Sequence, residues 1–186
     1  MMKKYTEKDI VVYKNFFEPE DFESILDYLD KPNWGWGHTS GVVHADETPF
    51  WNMQLGQEEF FSKHLLDVIK KKTNENFSLD RCYANGHTFG SSGIFHTDWN
   101  DETGKTALLY ANDTWRQEWG GKTVFNIDGE YHYTEFLPNS LVIFPGLIPH
   151  RAEDPTKFFL GLRKTVAWKL CSTDTLLNHW IDKVNF

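Results

Sequence analysis

Four residues in the second half of the chain have the types and spacing of a metal-dependent site. His96 and Asp98 stand in the segment Phe95-His96-Thr97-Asp98. In an extended backbone, residues i and i+2 project to the same side, so an imidazole and a carboxylate can meet one ion without strain. H-x-D alone is a common pattern, and a third ligand must come from elsewhere. His150 lies 52 residues after the aspartate. There the apolar run into Phe144-Pro145-Gly146 ends in a Pro-Gly turn, and the histidine opens the next run. Two imidazoles and one carboxylate on one face of an ion leave three positions open, an arrangement suited to Fe(II) and oxygen chemistry. Taken alone, His150 is more readily an ordinary core or surface histidine.

Arg163 shifts that balance. It follows His150 by 13 residues, in Phe158-Phe159-Leu160-Gly161-Leu162-Arg163-Lys164-Thr165-Val166-Ala167-Trp168. A guanidinium embedded among apolar and aromatic residues is costly unless its charge is met. The run contains no acid that could meet it. A carboxylate ligand taken by two parallel N–H bonds would do so. Thr165, two residues on, shares that face and offers a hydroxyl to the same carboxylate. The competing reading is an arginine at a sheet edge, paired with an acid from another strand.

These residues need a frame, and hydrophobic periodicity supplies one. Residues 10–17 look extended. Glu18-Pro19-Glu20-Asp21 is a helix start, with proline in the first turn and acids near the positive end of the helix dipole. Phe22, Ile25, Leu26 and Leu29 then recur at helical spacing, predicting a helix that ends near Pro32. Residues 33–54 read as loop and short strands with Gly35, Gly37 and Gly41 among aromatics. A second helix is expected from about Gln57 to Lys71, with Lys70-Lys71-Lys72 at its end, where cations suit the dipole. From residue 79 short β-like runs take over, at 80–89, 93–97, 106–112, 122–127, 131–136, 140–144, 148–152 and 158–170. Short strands at close spacing indicate a sandwich or barrel. The expected architecture is mainly β with N-terminal helices covering one face of a sheet.

Composition narrows the class. The 186 residues suit one domain, and a chain of this size buries about 70% of its unfolded surface. We expect helical support over 1–78, a β core over 79–170 and a tail over 171–186. Net charge is −8 at pH 7, and the lysine triplet is the longest basic run, so no nucleic-acid partner is expected. Cys82 and Cys171 are too few for a disulfide framework and read as free thiols. No apolar stretch approaches a membrane span, and Met1-Met2-Lys3-Lys4-Tyr5 does not open a signal peptide. A soluble cytoplasmic protein is expected. Oligomeric state is not legible.

Beyond the four residues, the stretch from about Tyr83 to Leu170, half of the chain, resembles the 2-oxoglutarate/Fe(II)-dependent dioxygenases, in their prolyl 4-hydroxylase-like branch. The matching pieces are His96-x-Asp98, then Leu109-Tyr110-Ala111-Asn112 with Trp115. Trp119-Gly120-Gly121-Lys122-Thr123-Val124-Phe125 is similar to the branch's W-G-G-x-T-x-F, and the run into Pro145-Gly146, His150 and the Arg163/Thr165 pair follow in order. The resemblance implies a double-stranded β-helix (jelly-roll) core. It implies that His96, Asp98 and His150 bind Fe(II), that Arg163, helped by Thr165, grips the distal carboxylate of 2-oxoglutarate, and that Tyr110 hydrogen-bonds it too, although Tyr110 also reads as a core ring. The implied reaction consumes O₂ and 2-oxoglutarate, hydroxylates a C–H bond and releases succinate and CO₂, with ascorbate as an accessory reductant. Asp98, where related halogenases carry a small residue, favours hydroxylation. Peptidyl proline is the substrate suggested by analogy; another protein side chain, a free amino acid or a small metabolite stays open.

The chain also departs from that branch. Where a tyrosine often stands nine or ten residues before the first metal histidine, this sequence has His87 and Gly86, and an extra Gly90–Gly93 loop follows. No role carries over to Tyr83, Asn85 or His87. Lys164 faces away from Arg163 on a strand. Trp99 and the Asn100–Gly104 loop either shape the substrate entrance or form an ordinary surface turn. Two other readings compete: a cupin-like metal enzyme that does not use 2-oxoglutarate, and a non-catalytic aromatic β-sandwich that binds sugars or peptides.

Overall fold

Helical periodicity in the first third and period-two alternation afterwards sort the elements into layers. In the computed structural model, which describes residues 4–40 and 48–172, β1 (Val11–Tyr13) leads to α1 (Pro19–Leu29), β2 (Gly35–His38) and β3 (Phe50–Gln54). A π-helical turn over Phe60–Leu65 runs into α2 (Leu66–Thr73). Then come β4 (Phe77–His87), β5 (Gly104–Tyr110), β6 (Thr123–Ile127), β7 (Glu130–Thr134), β8 (Leu141–Pro145), β9 (His150–Ala152) and β10 (Arg163–Ser172). Residues from 173 of the expected tail, and Gly41, lie outside the described residues.

The strands form a seven-stranded sheet ordered β1-β8-β5-β10-β4-β3-β2 and a three-stranded sheet ordered β7-β6-β9. All pairings are antiparallel. This is the jelly-roll expected from the sequence, with the helices on the outer face of the larger sheet. The N-terminal third is more than helical support, because β1 and β2 are the edges of that sheet.

α1 begins where expected. Pro19 occupies the first turn with Glu20 and Asp21, and Ile25 and Leu29 are its buried residues. α2 ends at Asn74 in the left-handed region (φ 55), after the three lysines. The ammonium of Lys72 donates to the Phe16 carbonyl at 2.6 Å and to Glu18 at 2.8 Å, tying the two helical segments together.

β10 lies at the centre of the large sheet and shows how the layers divide. Val166, Trp168 and Leu170 pack with Ile25, Leu29, Phe61, Leu65 and Ile69 beneath the helices. The Trp168 indole N–H donates to the Phe61 carbonyl at 2.9 Å. The alternate residues Arg163, Thr165, Ala167 and Lys169 line a cavity between the two sheets. A second apolar cluster of Tyr110, Phe125, Phe136, Val142, Phe144 and Ile148 closes the space between the sheets beside that cavity. A strand buried on both faces has no polar face to spare for water, so every polar side chain on it needs a protein or ligand partner.

Two expected strands are shorter in the structure. Of residues 93–97, only His96 pairs, in an isolated bridge with His150. The 158–170 run begins pairing at Arg163, because the chain turns at Thr156–Phe159, where the Phe159 amide donates to the Thr156 carbonyl at 3.0 Å.

Candidate metal centre

The backbone sets the three candidate ligands before their side chains do. His96 and His150 exchange both backbone hydrogen bonds, at 3.0 and 2.9 Å, which brings their rings to 4.5 Å between centroids. The Pro145-Gly146 turn fixes the aspartate: the amides of Asp98 and Trp99 donate to the Gly146 carbonyl at 2.8 and 3.3 Å, and the Gly146 amide donates to Gly104 at 2.9 Å. The Trp99 indole lies across both glycines. A Cβ on Gly104 or Gly146 would fall 2.0 or 2.1 Å from its ring. Trp99 therefore packs against the backbone that carries Asp98 and is not a wall of the cavity.

The ligand atoms of His96, Asp98 and His150 lie within 4.8 Å of one another. His96 Nε2 is 3.6 Å from one Asp98 oxygen and His150 Nε2 is 3.2 Å from the other. Ligands bonded at about 2.1 Å to one ion at right angles are about 3 Å apart, so small movements would seat an ion. Each imidazole presents the correct nitrogen. Nδ1–H of His96 donates to the Ile94 carbonyl and Nδ1–H of His150 to Ile148, both at 2.9 Å. That leaves each Nε2 lone pair for a metal, as outer-shell carbonyls do for metal-bound histidines. Burial pushes the His150 ring below its ordinary pKa, against the pull of Asp98, so it stays neutral as a ligand must.

Asp98 has further partners that the sequence did not announce. The Lys169 ammonium and the Thr106 hydroxyl both donate to its Oδ2, and the Lys169 ammonium also donates to Thr106 at 3.3 Å. Burial alone would raise the Asp98 carboxyl; Lys169, then His150, hold it well below the usual carboxylate range. Burial works against the Lys169 ammonium too, but Tyr83 and Asp98 keep it protonated. The result is a carboxylate held by two donors on one oxygen.

Arg163 lies six residues earlier on the same strand face, a separation of about 20 Å along the backbone. It is 1% exposed. Its Nε–H donates to the Gly121 carbonyl at 2.8 Å. Gly121 has φ +75, and a Cβ there would be 3.1 Å from the Arg163 side chain and 3.0 Å from Trp115. The double glycine thus turns a carbonyl onto the guanidinium at a spacing no larger residue allows. The Phe136 and Tyr110 rings lie 5.2 and 5.8 Å from the guanidinium carbon. Burial pulls the Arg163 pKa down to about 10, with Tyr110, then Glu153 and Asp154, only partly offsetting it. Among the described residues Arg163 makes no salt bridge with an acid, and its Nη2 has no hydrogen-bond partner. An edge arginine paired with an acid from another strand is not what the structure contains.

The remaining sequence candidates fall as follows. Thr165 is buried, faces the cavity and is paired with Asn85 and Tyr110 in the sheet. Tyr110 is fully buried, and its hydroxyl is taken up by the Thr123 and Thr134 hydroxyls at 2.9 and 2.6 Å. It is Thr123 that reaches the cavity there. Lys164 faces outward and pairs with Asp30 at 2.6 Å. The cavity holds about 270 Å³ and takes in the three candidate ligands, Arg163, Thr165 and Lys169. A buried cation without an anion at one end and a three-ligand cluster at the other fit a metal plus an acidic chelating cosubstrate.

Comparison of the sequence with family models gives no match, and none of the curated proteins matches it. Solved structures do match. A prolyl-4-hydroxylase from Pseudomonas putida aligns with TM-score 0.64 and 17% identity over 88% of this chain and 92% of that one. A Trichoplax adhaerens prolyl hydroxylase, solved with a hypoxia inducible factor oxygen degradation domain peptide fragment, aligns with TM-score 0.66 and 16% identity over 89% and 84%. HygX from Streptomyces hygroscopicus, solved with nickel and 2-oxoglutarate bound, aligns with TM-score 0.65 and 13% identity over 89% and 83%. The likeness at these identities is one of fold, and the chain has the jelly-roll fold of the 2-oxoglutarate/Fe(II)-dependent oxygenases, with a His-Asp-His cluster between its sheets.

Proposed function

We propose that this chain is a 2-oxoglutarate- and Fe(II)-dependent dioxygenase that hydroxylates a C–H bond, with peptidyl proline as the first substrate to test. The observation that carries the reading is Arg163: a buried cation, held by one carbonyl and two rings, whose outer nitrogen has no hydrogen-bond partner among the described residues. A cupin-like enzyme without 2-oxoglutarate has no use for that cation, and a sugar-binding sandwich has no use for three converging ligands.

In this reading His96, Asp98 and His150 would hold Fe(II), which with 2-oxoglutarate and O₂ supplies the oxidising power that converts C–H to C–OH while succinate and CO₂ leave. The chain's own residues do the rest. Arg163 takes the distal carboxylate of 2-oxoglutarate and Thr165 adds a hydroxyl from the same strand face. Tyr110 acts on that carboxylate through Thr123, whose hydroxyl it orients. Lys169 and Thr106 hold one oxygen of Asp98, which keeps the carboxylate from rotating. Phe144, 4.7 Å from the His150 ring, and Phe125 keep water from the inner side of the centre. The P. putida likeness supports a prolyl substrate, the T. adhaerens likeness a peptide one, and the HygX likeness metal and 2-oxoglutarate binding.

The test is succinate release from 2-oxoglutarate across pools of proline-containing peptides, amino acids and metabolites, with Asp98→Ala as control. We expect turnover in one pool that disappears in the control. Turnover that persists in Asp98→Ala sinks the site assignment, and an Arg163→Ala protein with unchanged 2-oxoglutarate affinity sinks the cosubstrate assignment.

A further inference from the structure

β4 and β10 pair so that His87 stands directly opposite Arg163. Both side chains line the cavity. His87 is 2% exposed, and its ring is stacked on Phe50 at 4.5 Å and 27°. Among the described residues neither of its ring nitrogens has a hydrogen-bond partner, and Arg163 Nη2, across the ladder, has none either. Two buried polar groups left unmet on one cavity wall call for a common ligand. The guanidinium excludes a cation. A neutral imidazole keeps one N–H donor and one acceptor. Burial, with the Arg163 charge behind it, pushes His87 to about 3, so at neutral pH it brings a donor and no second charge. A carboxylate has oxygens for both groups.

We infer that His87 is a second cosubstrate-binding residue, its ring N–H donating to the same distal carboxylate that Arg163 takes. The inference rests on the 2-oxoglutarate reading above and adds to it a residue whose type differs from the tyrosine that often stands near this position in the resembling branch. Phe50 fixes the plane of the imidazole, so the donor is aimed before the ligand arrives and little rotamer entropy is lost on binding.

The test uses full-length protein loaded anaerobically with Mn(II), and calorimetric titration with 2-oxoglutarate and, separately, with 2-oxobutyrate, which has the 2-oxo acid head but no distal carboxylate. His87→Phe keeps the stacking and removes both nitrogens; His87→Gln restores a donor. A hydrogen bond to a charged group corresponds to about a 10- to 100-fold change in Kd. We expect His87→Phe to weaken 2-oxoglutarate by that factor, to leave 2-oxobutyrate and Mn(II) affinities within about twofold, and His87→Gln to recover part of the loss. Equal 2-oxoglutarate affinity in wild type and His87→Phe overturns the inference. So does an equal loss for both oxo acids, which would mean a general disturbance. If His87→Phe does not fold, His87→Ala takes its place in the same comparison, with His87→Gln again expected to recover part of the loss. Wild-type protein that binds Mn(II) but not 2-oxoglutarate overturns the proposed function itself, a different outcome from either.

Discussion

Replacing Lys169 by Met should separate the metal-free protein from the metal-loaded one. The methionine keeps the stem volume and removes the ammonium that meets Asp98. Both partners are nearly inaccessible, with side chains 4% and 5% exposed. Removing one partner of such a pair leaves an unmet buried charge and typically costs about 3–5 kcal/mol. For a domain of this size each kcal/mol shifts Tm by about 2–4 °C, so the metal-free variant should melt roughly 6–20 °C below wild type. A divalent ion on Asp98, His96 and His150 supplies the missing positive charge. The gap between variant and wild type should therefore shrink by at least half when Mn(II) is saturating, and the variant should gain more Tm from Mn(II) than wild type does. Differential scanning calorimetry with and without Mn(II), after removal of metal with a chelator, measures all four states. An equal Tm loss in both conditions would refute the reasoning, since it would mean that Lys169 and the ion do not answer the same charge. No Tm response of the wild type to Mn(II) would refute the metal centre.

Three other perturbations follow from the geometry. Gly146→Ala puts a methyl 2.1 Å from the Trp99 ring and displaces the carbonyl that holds Asp98; overpacking of this kind costs about 1–3 kcal/mol, and chemical denaturation together with a Mn(II) titration should show lower stability and weaker metal binding. Tyr110→Phe strips a hydroxyl from Thr123 and Thr134 and should cost about 1–2 kcal/mol in urea unfolding, with 2-oxoglutarate affinity changed far less than by Arg163→Ala; an equal loss of affinity would place the phenol on the ligand. His87, with a folded value of about 3 against an ordinary value of about 6.5, is neutral in the fold while the unfolded chain takes up a proton below pH 6.5. Unfolding free energy should thus fall as pH falls from about 6.5 toward 3, by about 2 kcal/mol at pH 5, and His87→Gln should remove that slope; an unchanged slope in the variant would assign it to other groups.

Much of this site was legible in the sequence because its signals are short in range or costly in energy. H-x-D is a local pattern, and β-alternation puts both groups on one side of the chain. Arg163 is legible through cost, as a guanidinium in an apolar run. The same reasoning applied two positions beyond Ala167 finds Lys169, which continues the alternation of Arg163, Thr165 and Ala167 and is also a cation among buried residues. Its partner, Asp98, lies 71 positions away, and no local pattern connects them. Thr106 was hidden in the same way, as a strand threonine whose value lies wholly in what the fold sets opposite it. The π-helical turn at Phe60–Leu65 and the placing of β1 and β2 at the edges of the large sheet were less visible, because an apolar run of a few residues fits more than one local geometry and packing selects among them. His87 stood where a tyrosine was sought. It is the β4 pairing that sets it against Arg163, with neither of its nitrogens met among the described residues.

The charges on the inner face of β10 give the cavity a direction. The strand carries a cation near each end, yet the two are in opposite conditions. Lys169 is answered from within the protein by Asp98, so its end has no net call for an anion and is tied to the ligand cluster. Arg163 is answered by a carbonyl and two ring faces, none of which carries a full charge. On the proposed reading, a dicarboxylate entering the cavity would meet, among the described residues, an uncompensated charge at the Arg163 end, where a neutral imidazole adds a donor without adding repulsion. Its other end is left toward His96, Asp98 and His150. Orientation is set by which cation the fold has already neutralised, and a single exchange tests it: in Lys169→Met the direction should hold, because the Arg163 end is untouched, whereas in Arg163→Met the preference for a 2-oxo diacid over its monoacid counterpart should vanish in the titrations, with the preference retained if charge layout does not govern it.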